Sequence, residues 1–213
     1  MLFNSLHFLA FFPLVVFAFY IVKQKWRWLI LLVASYYFYI SWEPAYILLI
    51  IFSTVVDYFV GKKIYKTKSN KKKNFLIGSS LLLNLGFLFF FKYFNFFSES
   101  LNILFDEANL SYRIQELNYL LPVGISFYTF QTLSYSIDIR KGILKPEYHF
   151  GKFALFVSFF PQLVAGPIER TKDLLPQLNS AKETTYENLR AGFVLILWGF
   201  FRNYLLPIDS RFM

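Results

Sequence analysis

The sequence predicts an all-α, polytopic membrane protein of about six transmembrane helices plus a re-entrant segment, with residues 1–213 forming one integral-membrane domain. The first observation is hydropathy: the 213 residues are 56% hydrophobic with a mean hydropathy of +0.44. Apolar residues fall in long blocks rather than alternating, the pattern of lipid-crossing helices and not of a soluble domain. The second is the placement of positive charge. Lys23, Lys25 and Arg27 form one group, and seven lysines stand within Gly61–Lys73. A net charge of +9 could suggest nucleic acid. Short basic loops between apolar runs instead set orientation and touch anionic lipid headgroups, so no nucleic-acid partner is expected. The third is the 29 Phe and 15 Tyr, since a Tyr at the headgroup boundary keeps its ring in lipid and its hydroxyl wet.

The elements follow in order. A first span covers about Leu6–Val22; it lacks a basic leading segment and a small-residue cleavage site, so it is expected to remain attached. A second, short span runs from about Trp28 to Ser41 and ends at Trp42-Glu43-Pro44, because proline disfavours helix in the residue before it. A third covers about Ala45–Val60, followed by the lysine-rich loop Gly61–Lys73 and a fourth span, about Phe75–Phe91, closed by a snorkelling Lys92. Both basic loops fall on one side, which the positive-inside rule makes cytoplasmic, so the N-terminus is expected outside. The stretch Ser98–Asn118 then reads as an outer loop carrying Glu99, Asp106, Glu107 and Glu116 against Arg113. A fifth span begins near Tyr119, with Pro122 at its start, and ends by Asp138–Lys141. Phe153–Val164 is short for spanning and is interrupted by Pro161, which favours a re-entrant or tilted segment. The last apolar run is Ala191–Leu206.

Two stretches stand out, Leu121–Ile139 (LPVGISFYTFQTLSYSIDI) and Phe159–Arg170 (FFPQLVAGPIER). They bring hydroxyls, an amide, glycines and prolines to membrane depth, where an unsatisfied polar group costs several kcal/mol. On a helix, Tyr128, Thr132 and Tyr135 share a face and Thr129 lies about 100° away. Each hydroxyl can bond a carbonyl or a neighbouring helix, or line a site. Gln131 asks for more, because its amide has several hydrogen bonds to fill. Gly166-Pro167 before Glu169-Arg170 reads either as a cavity wall or as an interfacial turn. Asp57 is either a buried carboxylate that binds a cation or orients a partner, or an interfacial acid neutralised by nearby Lys or Arg. With no Cys and only His7 and His149, which no spacing ties together, a metal site is not expected. No nucleophile elbow, phosphate loop or dinucleotide turn is present.

These two stretches, with SYYFYISWEPAYILL (Ser35–Leu49) and VVDYFVGKK (Val55–Lys63), resemble the membrane-bound O-acyltransferases, most closely the alginate O-acetyltransferase type. The resemblance runs in order along the chain and corresponds to the N-terminal portion of the family. It implies a bacterial inner-membrane, multi-pass enzyme whose helices surround a buried tunnel. Such an enzyme takes an acyl group from a cytoplasmic donor such as acetyl-CoA, with no bound cofactor. It passes the group toward an exported polysaccharide such as an alginate-like polymer, with an extracytoplasmic acetyltransferase partner protein. Tyr128, Gln131, Thr132, Tyr135, Gly166, Pro167 and Arg170 are the implied substrate-binding residues. The family's catalytic histidine lies in a later apolar helix. Neither His7 nor His149 stands in that motif, so no catalytic residue is assigned, and this chain is expected to be inactive alone. Two readings from other classes stand beside it: a small transporter or flippase using the polar fifth span, or a non-catalytic scaffold for acyltransferase partners.

Overall fold

Polar residues inside apolar runs decide this architecture, because once buried among apolar helices they must find partners on neighbouring helices. The structure, a computed structural model, describes residues 3, 5–42, 44, 47–108, 110, 112–115, 122, 124–163, 166, 169–180 and 185–205, and over them it is helical with no strand. In chain order the helices are α1 (Leu6–Ile21), α2 (Arg27–Ile40), α3 (Ile47–Lys66), α4 (Asn70–Leu88), α5 (Phe94–Glu107), α6 (Ile125–Arg140), α7 (Phe150–Ser158), α8 (Phe160–Leu163), α9 (Thr171–Asn179) and α10 (Tyr186–Leu205).

The centre is α6, which packs against α3, α4, α7 and α9. Its buried residues run from Gln131 round to Leu133, an arc of about 200° at 100° per residue. The single polar face expected from the sequence is therefore too narrow, and Thr129 is buried beside Tyr128. A second core joins α1, α2 and α8 through rings: Phe160 lies 5.5 Å from Phe11 and 5.6 Å from Phe38, centroid to centroid. Such offset and edge contacts supply close packing where lipid offers helices no hydrophobic drive to associate.

Several boundaries differ from expectation. The lysine-rich stretch is mostly helix: α3 continues through Lys66, and only Thr67–Ser69 separate it from α4. Lysine is a good helix former, and its long stem lets a helix leave the hydrocarbon without ending. Likewise the fourth span does not stop at Phe91. A π-helical turn, Phe89–Tyr93, carries it into α5, giving one run of 38 residues, Asn70–Glu107. Lys92 sits within that turn rather than closing a span.

At 1.5 Å per residue the run is about 57 Å long, well beyond a ~30 Å hydrocarbon core. Its acidic end lies in α5, so Ser98–Glu107 is helix and not loop. The signal was present: Asn95, Ser98, Asn102 and Asp106 recur every three or four residues. Asn102 holds the following segment through both backbone groups of Ile114, at 2.8 and 2.9 Å, and Arg113 pairs with Asp106 at 3.0 Å.

The fifth span is described from Gly124 onward; Tyr119–Leu121 lie outside the described residues. Gly124 takes φ +78°, and a Cβ there would stand 2.6 Å from the Leu163 carbonyl oxygen. That glycine thus both sets the entry angle of α6 and admits α8 against it. The last apolar run begins earlier than expected, at Tyr186, and its described side chains are largely exposed. Among the described residues, Asn70–Glu107 is the one run long and apolar enough to cross a membrane by itself, while Leu6–Ile21 and Phe150–Leu163 are apolar but shorter.

Candidate functional site

The break between α7 and α8 falls at Phe159, two residues before the proline. Pro161 has no N–H and its ring would strike the carbonyl four residues back in a continuous helix, so the chain leaves helical geometry first. Phe159 takes φ −55°, ψ 109°, and Pro161 then sits in the first turn of α8, where proline is tolerated. In an unbroken helix the Phe160 N–H would bond the Phe156 carbonyl. Here both groups are freed, and each is answered by a side chain from another helix. The Gln131 amide donates to the Phe156 carbonyl at 2.8 Å, and the Phe160 N–H donates to the Ser35 hydroxyl at 3.2 Å. Ser35 in turn donates to the Leu31 carbonyl at 2.7 Å. Ser35 and Gln131 are 0% and 3% exposed, so water does not substitute for either.

A second buried polar group lies between α3, α4 and α6. Asp57 is 0% exposed. Its carboxylate accepts from the Ser80 hydroxyl and, at 2.9 Å, from the Asn84 amide. The Asn84 carbonyl oxygen accepts from Ser53 at 2.6 Å. Thr132 of α6, also fully buried, donates its hydroxyl to the Thr129 carbonyl at 3.2 Å. Of the two readings left open for Asp57, the interfacial one is overturned. Because α3 continues ten residues past Val56, Asp57 lies mid-helix, and its neighbours are hydroxyls and an amide rather than Lys or Arg.

The seven expected site residues divide. Tyr128, Gln131, Thr132 and Tyr135 are brought together as buried residues of α6. Tyr128 is 2% exposed and its hydroxyl meets no hydrogen-bond partner among the described residues. Tyr135 accepts from the Glu147 N–H at 3.2 Å, and its ring lies 4.5 Å from that of Phe153. Gly166 is half-buried just beyond α8. Its N–H donates to the Gln162 carbonyl at 2.9 Å, and a Cβ would lie 2.6 Å from Gln162 Cα. Pro167 lies outside the described residues. Arg170 is not brought into the group: it is exposed, and its backbone starts α9 by accepting from the Asp173 and Leu174 N–H groups. A charged side chain at a helix start near water needs no buried partner.

Sequence reasoning missed Ser35, Ser53, Ser80 and Asn84. A signal existed for the last three. Ser53 and Asp57 are four apart on one apolar helix and Ser80 and Asn84 four apart on the next, so each pair shares a face. Two such polar pairs on consecutive helices invite one another. Ser35 carried no such signal, because its partner is a backbone group freed 125 residues away.

The histidines lie elsewhere. His7 is exposed, with Nε2 2.9 Å from the Tyr37 hydroxyl. His149 is exposed and caps α7, Nδ1 accepting from the Lys152 N–H at 3.3 Å. Among the described residues no group of three or more His, Cys, Asp or Glu is placed to hold a metal ion.

Comparison with known proteins gives consistent relatives. The chain is 35% identical to a probable alginate O-acetylase of Pseudomonas aeruginosa, over 97% of this chain and 40% of that protein. It is 36% identical to a probable alginate O-acetylase of Pseudomonas putida, over 97% and 42%. It is 32% identical to a peptidoglycan O-acetyltransferase of Helicobacter pylori, over 86% and 38%. The chain thus spans about two fifths of the length of the curated relatives it matches. No family model and no solved structure matches it.

Proposed function

On the footing that this chain is homologous to the alginate O-acetylase type of membrane-bound O-acyltransferase, we propose that it forms part of a membrane O-acetyltransferase acting on an exported polysaccharide or on peptidoglycan. The observation that carries the reading is the open helix at Phe159, whose freed backbone groups are held by Ser35 and Gln131 deep among apolar helices. Irregular backbone at membrane depth is tolerated only against protein or a wet cavity. A chain that merely had to cross lipid gains nothing by breaking a helix and adding two buried polar side chains to repair it.

In this reading the 213 residues are one integral-membrane unit of about six spans in the bacterial inner membrane. The N-terminus lies outside, and α7–α8 form a re-entrant pair. Tyr128, Gln131, Thr132, Tyr135 and Gly166 line or brace an acyl tunnel entered from the cytoplasm by acetyl-CoA or another acyl donor. The acceptor hydroxyl lies on the outer side, where an extracytoplasmic acetyltransferase partner completes the transfer. Acyl transfer to a hydroxyl needs a group that removes its proton. Neither histidine of this chain serves, since one pairs with a surface tyrosine and the other caps a helix. The 213 residues by themselves therefore transfer no acetyl group.

The test is ester content. Cells carrying the full protein are assayed for O-acetyl groups on exported polysaccharide and, separately, on peptidoglycan, with and without Gln131→Leu. Loss of acetyl esters from one polymer at unchanged protein level supports the reading and names the acceptor. Replacing His7 and His149 by Gln should leave the esters in place; their disappearance from stable protein would contradict the assignment of both histidines.

A further inference from the structure

A cleft of about 650 Å³ opens where the end of α1 and the start of α2 meet α7 and α9. It is separate from the polar groups around α6 and nothing above uses it. Its walls divide by chemistry. Phe19, Tyr20 and Trp28 supply rings, while Lys25, Arg27 and Lys152 supply three cations, and no carboxylate is among the described lining residues.

Arg27 is built into this site rather than hanging beside it. Its guanidinium carbon lies 4.9 Å from the Phe19 ring centre and 5.7 Å from that of Tyr20, and its Nε is buried without a hydrogen-bond partner among the described residues. Stacking of this kind holds the planar fork in place while leaving N–H donors for an incoming oxyanion. Trp28 is fixed in turn: its ring lies 4.6 Å from that of His149, and a Cβ on Gly151 would stand 2.3 Å from it. On the facing rim the end of α9 closes on itself, the Ser180 N–H donating to the Pro176 carbonyl and the Ser180 hydroxyl to the Gln177 carbonyl. The cleft therefore presents donors, positive charge and apolar rings together. Three cations with no ion pair among the described residues, beside one apolar wall, favour a phosphate ester attached to an apolar or aromatic body.

We propose that this cleft binds the phosphate of such an amphiphile at the cytoplasmic face, with Arg27 and Lys152 taking the phosphate oxygens and Lys25 at the mouth. An anionic glycerophospholipid and a soluble coenzyme-type thioester donor share this chemistry. The site rests on the membrane orientation proposed above but not on acyl transfer, so its test reads binding alone.

The full-length protein, purified in detergent, is titrated with phosphatidylglycerol, phosphatidylcholine and coenzyme A, and bound adducts are counted by native mass spectrometry. Phosphatidylglycerol should be retained at least tenfold over phosphatidylcholine. Retention should fall about fivefold for each cation removed in Arg27→Gln and Lys152→Gln, while Arg27→Lys, which keeps the charge but loses the planar fork, keeps only part of it. Coenzyme A binding with the same dependence on these residues would assign the phosphate to a soluble source and leave the site standing. Equal retention of the two lipids together with no coenzyme A adduct would overturn the proposal. So would binding of either anionic ligand undiminished in a double variant whose thermal midpoint matches the unaltered protein. Absence of ester formation in cells would leave these outcomes untouched.

Discussion

The α7–α8 break and the Asp57 cluster both put polar groups deep among apolar helices, yet they satisfy different needs. Around Asp57 the helices are regular, and the partners are side chains that satisfy one another: Ser80 and Asn84 on the carboxylate, Ser53 on Asn84. At Phe159 the helix itself is open, and Ser35 and Gln131 stand in for a missing backbone bond. The first arrangement joins helices. The second maintains an irregular backbone, which has no packing value of its own. A polar network that only joins helices should affect how much folded protein exists, whereas one that holds a helix open should affect what the folded protein does.

The largest expected effect tests the first half of that contrast. Asp57→Ala strands the Ser80 hydroxyl and the Asn84 amide in a buried site, at about 2–3 kcal/mol. Thermal unfolding in detergent should show this as a clear drop in midpoint, and ester formation per folded molecule should hold. Asp57→Asn keeps an acceptor for Ser80 and should cost less. A double-mutant cycle with Asn84→Ala should give a coupling near 1 kcal/mol, since the two side chains share a hydrogen bond. Additive effects would mean that the cluster is not one network.

Next in size is the repair itself. Ser35→Ala leaves the Phe160 N–H unanswered, and Gln131→Leu does the same to the Phe156 carbonyl. Hydrogen bonds between membrane helices typically contribute about 0.6 kcal/mol and at most about 1.7, because the unfolded chain in lipid also finds partners. Each change should therefore lower stability by about 1 kcal/mol and lower ester formation by far more than the loss of protein explains. If activity instead falls only in proportion to protein, the open helix has no functional weight and the contrast collapses.

A third substitution sharpens the same point from the backbone side. Pro161→Ala restores an N–H and removes the ring clash that forces the break. With α7 free to continue, the stability cost of Gln131→Leu should shrink, while ester formation should not recover. Measured as a pair, the two variants separate the chemical need for Gln131 from the structural need.

What the sequence disclosed, and what it hid, follows the same division. The α-helical class, the helices at Leu6–Ile21 and Arg27–Ile40 and the polar character of α6 were readable from apolar blocks and side-chain type. The burial of Tyr128, Gln131, Thr132 and Tyr135 on α6 was readable because polar residues in an apolar run need a reason. The continuation of the fourth apolar run into α5 is masked by its acidic residues, whose composition resembles a loop while their three- and four-residue spacing is helical. Ser35 was hidden for a deeper reason: its partner is a backbone N–H that becomes available only when a helix far along the chain is broken. No pattern local to Ser35 records that. The exposure of Arg170 was not legible, because a charge beside Gly-Pro looks the same whether it faces a cavity or water.

The smallest stability effect is the most telling about the site. Tyr128 is 2% exposed and its hydroxyl has no hydrogen-bond partner among the described residues, unlike that of Tyr135 on the same helix, which accepts from the Glu147 N–H. A buried hydroxyl left unsatisfied costs free energy, so Tyr128→Phe should leave stability unchanged or raise it by about 1 kcal/mol. Tyr135→Phe should lower it by a similar amount. If the Tyr128 hydroxyl is kept to meet a substrate, the phenylalanine variant will be at least as stable as the parent and yet poorer in ester formation, a pairing that lost packing cannot produce. A stabilised variant with full ester formation would instead place Tyr128 among the residues that only fill space, and the functional part of α6 would shrink to Gln131 and its neighbours at the open helix.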